Sequence, residues 1–177
     1  MKIKIKKLND ELKLPRVINK GEWIDLYCSE TTRFNAPQSG TLKSRNINGK
    51  EEKYRNVSFD FKLIPLGVII KVPKGFESII APRSSTAKGM GVLQGNSIGI
   101  VDNAYCGPND EWKFPALAIR DTIITAGERI CQFRIQLSQK ATFWQKLKWL
   151  FSSKVEIEEV DDVSSSSRGG FGSTGNK

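Results

Sequence analysis

The sequence predicts an all-β subunit, a jelly-roll-like β-barrel or sandwich with one short inserted helix and a flexible C-terminal tail. Three observations predict it. Lys2-Ile3-Lys4-Ile5-Lys6 alternates with the two-residue period of a half-buried strand. Residues 57–62, 67–72 and 77–81 are short strand-like runs divided by Pro65, Pro73 and Gly75. No long helical pattern separates them, and short strands at near-regular spacing indicate a sandwich or barrel.

A chain of 177 residues suits one domain whose core needs no disulfides. The body is expected over 1–163 and the tail over 164–177. Cys28, Cys106 and Cys131 have no metal-ligand spacing and there is no histidine, which argues against a transition-metal site. The lysine-rich start lacks the apolar core of a signal peptide, and no run reaches the length of a membrane span. A reduced, cytoplasmic location follows, with no membrane contact needed for the fold. The formal charge of +9 favours an anionic partner. Aromatic and basic residues do not interleave as stacking platforms would, so nucleic acid ranks below a phosphorylated small molecule.

Taken in order, the first strand carries lysines that suit a sheet edge. A second strand over 22–28 places Asp25 on the face of Trp23 and Tyr27, opposite Ile24 and Leu26. Residues 29–56 are polar, with reversals expected at Pro37, Gly40 and Asn48-Gly49. In Pro82-Arg83-Ser84-Ser85, either serine can cap a short helix whose free N–H groups face a phosphate, and Arg83 is a bidentate phosphate donor. The same residues also read as an ordinary helix cap beside a surface arginine.

Residues 95–105 read as a hairpin in which Ile98, Ile100 and Val101 form strand and Asn96, Asp102 and Asn103 form turns. Asn96 carries both a donor and an acceptor, as does the edge of a pyrimidine. Asp102 can hold a water for attack, and Tyr105 offers a flat face with a polar tip. The plainer alternative is a surface turn with an Asp cap. Further strands fall at 116–120 and 123–124. Gly127-Glu128-Arg129 then turns into 130–135, whose alternation buries Cys131, Phe133 and Ile135, or else Ile130.

Residues 142–154 place apolar side chains at 143, 144, 147, 150 and 151, the spacing of a short amphipathic helix with Thr142 as N-cap. That stripe is expected to be covered, with Trp149 and the lysines outward as a basic and aromatic patch. Its own sheet or a neighbouring subunit, another protein, or a membrane surface can cover such a stripe. The tail contains Gly170-Phe171-Gly172-Ser173-Thr174-Gly175, formally a dinucleotide fingerprint. That reading fails because no strand precedes it and no helix has room to follow.

Trp23-Ile24-Asp25-Leu26, Pro82-Arg83-Ser84-Ser85, the Asn96 to Tyr105 hairpin, Gly127-Glu128-Arg129-Ile130-Cys131-Gln132 and Gly170 to Gly175 closely resemble the five ordered motifs of the trimeric dUTPases. The extra segment before the fifth motif resembles the phage-encoded type, some of which bind a repressor protein. The resemblance implies a homotrimer that converts dUTP and water to dUMP and diphosphate with Mg²⁺, in the host cytoplasm if phage-encoded.

By the same resemblance, Asp102 is the base that activates water. Arg83, Ser84, Ser85 and Gln132 hold the phosphates, and Asn96, Gly99 and Tyr105 form the nucleoside pocket. Asp25 helps to hold the magnesium, through water. Phe171 stacks on uracil while Gly172, Ser173 and Thr174 meet the γ-phosphate. The family's tail arginine lies five residues before the phenylalanine, where this chain has Ser166, so Arg168 is the substitute. Trp23 and Ile24 stand where family members have small residues. Two other classes fit the residues: a dCTP deaminase of similar fold, and a regulatory protein that uses the nucleotide as a switch, docking a repressor through the 142–154 insert.

Overall fold

The computed structural model describes residues 1–17, 21–151, 154–163 and 170. Its strands, in chain order, are β1 (Lys2–Lys7), β2 (Arg16–Val17), β3 (Ile24–Tyr27), β4 (Thr32–Phe34) and β5 (Gln38–Ile47). They continue with β6 (Lys50–Ser58), β7 (Phe61–Pro65), β8 (Val68–Lys71), β9 (Phe76–Pro82) and β10 (Val92–Gln94). The last five are β11 (Gly99–Asp102), β12 (Lys113–Ala118), β13 (Thr122–Ile124), β14 (Arg129–Leu137) and β15 (Glu156–Glu159). A π-helical turn spans Thr86–Met90, and one α-helix, α1, spans Phe143–Phe151.

Five strands form the largest sheet in the order β11-β9-β14-β3-β2, with β15-β1-β8 and β10-β12-β7 as smaller sheets and β13-β4 and β5-β6 as ribbons. The core lies between them. Trp112, Phe34, Phe114 and Phe133 fill it, Trp112 meeting Phe133 edge-on at 5.2 Å. Along β14 the register shifts between Arg129 and Cys131, so Ile130 and Cys131 are both buried. Alternation alone would have turned one of them outward, and the bulge removes that choice.

Several expectations need correction. β1 is not an edge strand: Ile3 and Ile5 are fully buried, and β15 pairs with it in parallel on one side while β8 pairs antiparallel on the other. Lys7 and Glu159 form an ion pair at 3.0 Å across that seam. The β15 signal, Glu156-Ile157-Glu158, was hidden because only one apolar residue alternates. Asn48 and Gly49 do reverse the chain, at φ 52° and 81°. Gly40 instead sits in a register shift between Ser39 and Leu42. The expected 57–62 strand is interrupted at Asp60, whose carboxylate accepts the Asn35 backbone N–H at 3.0 Å.

The insert is helical, but its faces are reversed. Thr142 and Gln145 form a reciprocal capping box: Gln145 N–H donates to Thr142 Oγ1 at 3.4 Å and Thr142 N–H to Gln145 Oε1 at 2.7 Å. Gln145 Nε2 also donates to the Lys74 carbonyl at 2.9 Å. Trp149, one turn on, packs against Phe76 at 5.5 Å between centroids. Phe143, Trp144, Leu150 and Phe151 are exposed, where a covered stripe was expected. The 145/149 face wins because Gly75, at φ 87°, lets the amide of Gln145 approach its backbone closely.

Candidate active site

β9, β14 and β3 lie side by side, and register brings Gln132 opposite Asp25 on one flank and Ala81 on the other. Asp25 is only 1% exposed and both its oxygens are occupied. Arg83 Nε lies 3.0 Å from Oδ1 and Arg129 Nη1 lies 2.9 Å from Oδ2. A buried carboxylate is tolerable here because two cations compensate it. The strand face of Asp25, opposite Ile24 and Leu26, is thus buried as theirs is. A directly bound metal would have to displace a guanidinium, so the donor set suits a cation reached through water and carried on phosphate oxygens. Among the described residues no cluster of three His, Cys, Asp or Glu side chains could hold a metal.

Arg83 is fixed from behind by a residue the sequence reading passed over. Thr86 is fully buried, accepts the Arg83 backbone N–H at 3.0 Å and donates to the Ile130 carbonyl at 2.6 Å, tying β9 to β14. The capping expected of Ser84 or Ser85 does not occur. Ser85 stands at the N-cap without a side-chain cap bond, and the helix is a single π-type turn. Both serines are exposed beside Arg83. Gln132 Nε2 donates to the Pro82 carbonyl at 3.4 Å, which leans its side chain toward the same corner.

The hairpin residues lie along the far side of β9. Gly99 faces Ile80 and Asp102 faces Glu77. A Cβ at Gly99 would sit 3.1 Å from Ile80 Cβ and 3.3 Å from Gln94 Nε2, so the close approach of β11 favours glycine. Ile98, expected in the strand, lies outside it and is exposed, following Ser97 at φ 61°. Gln94 donates through Nε2 to the Ile80 carbonyl at 3.3 Å and to Asn96 Oδ1 at 3.0 Å.

Asp102 ends β11 and is exposed, and its carbonyl accepts the Tyr105 N–H at 3.0 Å. The Tyr105 hydroxyl donates to the Glu111 carbonyl at 3.1 Å. Burial, with Asp110 and Glu111 nearby, pushes that phenol's pKa up, so it remains a neutral donor. Gly170 lies against the Tyr105 ring, where an added Cβ would be 2.6 Å from Cε2.

These residues form two separated groups. Asp102 lies in register with Glu77, while Gln132 faces both Asp25 and Ala81 and Arg83 reaches Asp25 from just past Pro82. Glu77 and Arg83 are six residue steps apart along extended chain, about 20 Å at the usual rise. Arg168, Phe171, Gly172, Ser173 and Thr174 lie outside the described residues. Among those described, no helix is long and apolar enough to cross a membrane.

A model of the dUTPase family matches residues 53–175. The chain is 40% identical, over all 177 residues of both sequences, to the SPbeta prophage-derived deoxyuridine 5'-triphosphate nucleotidohydrolase YosS of Bacillus subtilis. A mutant dUTPase of phage phi11 of S. aureus, whose structure reveals the coordination of a structural Mg(II) ion, superposes with a TM-score of 0.59 at 12% identity, covering 80% of this chain and 94% of that one. The dUTPase of Staphylococcus bacteriophage 80alpha superposes with a TM-score of 0.57 at 14% identity, covering 80% and 93%. It was solved in connection with the control of virulence-gene transfer by a G protein-like mechanism.

Proposed function

This chain belongs to the dUTPase family, and from that premise we propose that it hydrolyses dUTP to dUMP and diphosphate. The observation that carries the reading is that one chain presents two groups of residues suited to the two ends of one nucleotide. Arg83, held by Asp25 and Thr86, with exposed Ser84 and Ser85 and with Gln132 opposite, is a phosphate cradle. Asn96, Gly99 and Tyr105 border the nucleoside end, and the roles given by the resemblance to Arg168, Phe171, Gly172, Ser173 and Thr174 belong to the same reading.

Asp102 takes a proton from water as the water oxygen attacks the α-phosphorus. The bond from that phosphorus to the bridging oxygen breaks, and diphosphate leaves with the electron pair. Mg²⁺ would supply charge neutralisation at the phosphates, and Asp25 and Gln132 would hold it through its hydration shell, since Asp25 is already engaged by two guanidiniums. Most of the acceleration comes from positioning and charge stabilisation.

Asp102, in register with Glu77, lies farther along β9 from Arg83 than a triphosphate reaches from its α- to its γ-phosphorus. A complete site therefore pairs the hairpin of one copy with the cradle of another, in a homotrimer. The exposed apolar residues Phe61, Leu63, Leu93, Ile98 and Ile100 support such an assembly, because side chains of that kind seldom stay in water together. A diphosphate-release assay with magnesium across dUTP, dTTP, dCTP and UTP tests the reaction. Turnover of dUTP well above the others is expected, and its absence would refute the reading; ammonia release from dCTP would mark a deaminase instead.

The exposed aromatic face of α1 favours a second role beside catalysis. Phe143, Trp144 and Phe151, with Lys146 and Lys148, suit docking of a regulatory protein such as a repressor. A pull-down with and without dUTP tests it.

A further inference from the structure

We infer that Gln94 is a positioning residue that locks the orientation of the Asn96 amide and thereby sets discrimination between uracil and cytosine. The inference rests on the proposed nucleoside pocket. Gln94 is 9% exposed and Asn96 is exposed, so one amide lies under the other. Gln94 Nε2 lies 3.3 Å from the Ile80 carbonyl oxygen, which can only accept, so the atom facing it must be the NH₂ nitrogen. The same nitrogen lies 3.0 Å from Asn96, whose facing atom must then be the acceptor Oδ1. A chain of donors thus runs from a fixed backbone group on β9 to the side chain that meets the base.

The consequence concerns what Asn96 offers. Held this way, its Nδ2 points away from Gln94 and its Oδ1 keeps a second lone pair. Uracil presents an acceptor at its 4-oxygen beside a donor at N3, and cytosine presents the reverse. An unrestrained asparagine can turn its amide over and serve either base. Turned over here, its NH₂ would face the NH₂ of Gln94, two donors without an acceptor. Gln94 also carries a cost that an apolar residue would avoid: its Oε1 is buried without a partner among the described residues. Such a group costs about 1–3 kcal/mol, which is understandable where the NH₂ of the same side chain has a task.

The test measures equilibrium binding of α,β-imido dUTP and α,β-imido dCTP to the full chain by calorimetry. The unmodified protein is expected to prefer the uracil nucleotide. Gln94→Leu, and Gln94→Met as a second apolar replacement should the first not fold, are expected to lower the uracil-to-cytosine affinity ratio roughly tenfold, the worth of one hydrogen bond. In an Asn96→Ala background the same replacement should leave the ratio unmoved. A folded Gln94 variant with an unchanged ratio, or an equal drop in the Asn96→Ala background, would overturn the positioning role alone. An unmodified protein with no uracil preference would overturn the functional reading together with it.

Discussion

Arg83 Nε lies 3.0 Å from Asp25 Oδ1, a contact between the second and first sequence motifs that one strand, β14, keeps in register. Because Arg129 occupies the other oxygen, Asp25 is a charge-balancing hub rather than a ligand open to solvent. Asp25→Asn would leave two guanidiniums facing a neutral amide. Breaking a fully buried pair typically costs about 3–5 kcal/mol, and the partial exposure of both arginines lowers this to roughly 2–3 kcal/mol. The expected outcome is a lower thermal midpoint and weaker dUTP binding together. A variant with native stability would show that the arginines hold position without the carboxylate.

Thr86 gives a sharper contrast because valine has nearly its shape. Thr86→Val removes the acceptor of the Arg83 N–H and the donor to the Ile130 carbonyl. Leaving buried polar groups unmatched should cost about 1–3 kcal/mol in denaturant unfolding, and Thr86→Ser should recover most of it. Equal losses in the two variants would point to the methyl group instead.

Cys28 and Cys131 bear on the alkaline limit of stability. Burial, reinforced by Glu128, pushes the Cys28 thiol up to about 12, and burial also raises Cys131. The folded state therefore holds these protons more tightly than the unfolded chain. That stabilisation is fully present below the ordinary thiol value of 9.0 and is lost as pH rises from there toward about 12. Unfolding free energy should fall across this window, and less steeply in Cys28→Ala. Parallel curves for the two proteins would rule the thiol out as a cause.

What the sequence made legible follows from local chemistry. The alternation of Ile3 and Ile5, the Asn48-Gly49 reversal and the Thr142 cap all act within a few residues, and each appears in the structure. Features set by distant partners were harder to see. Alternation sets Asp25 opposite Ile24 and Leu26 but does not show that Arg83 and Arg129 arrive from two other elements to balance its charge. Thr86 looks like filler until β14 supplies the Ile130 carbonyl. The α1 stripe misled because helical spacing reports which residues share a face, not which face meets the body.

The insert carries a prediction of its own. Trp149 packs on Phe76 while Trp144 is 75% exposed, although the two are five residues apart on one helix. Trp149→Ala should lower stability by about 2–3 kcal/mol, at the lower end for an aromatic truncation because the ring is only partly buried. Trp144→Ala should stay within about 0.5 kcal/mol of the parent, as surface replacements do. Thermal unfolding of the two variants separates them, and a reversed order would restore the face expected from spacing.

The proposed division of the site between copies predicts complementation. Arg83→Ala would damage the proposed cradle and Asp102→Asn would remove the proposed base, so each variant alone should lose turnover, the latter by about 10²–10⁴-fold. Each keeps the other half-site intact. If the hairpin and the cradle of one working site come from different copies, co-refolding the two inactive variants in equal amounts makes some sites with both halves native. For random assembly that fraction is about one quarter, the chance that a native hairpin meets a native cradle. Recovered dUTP hydrolysis near that fraction of the unmodified rate is the expected result. Unmixed oligomers of either variant serve as the baseline. Activity that stays at that baseline, in mixed oligomers verified by two affinity tags, would place both halves of each site on a single chain and require Asp102 to reach the phosphates along its own β9.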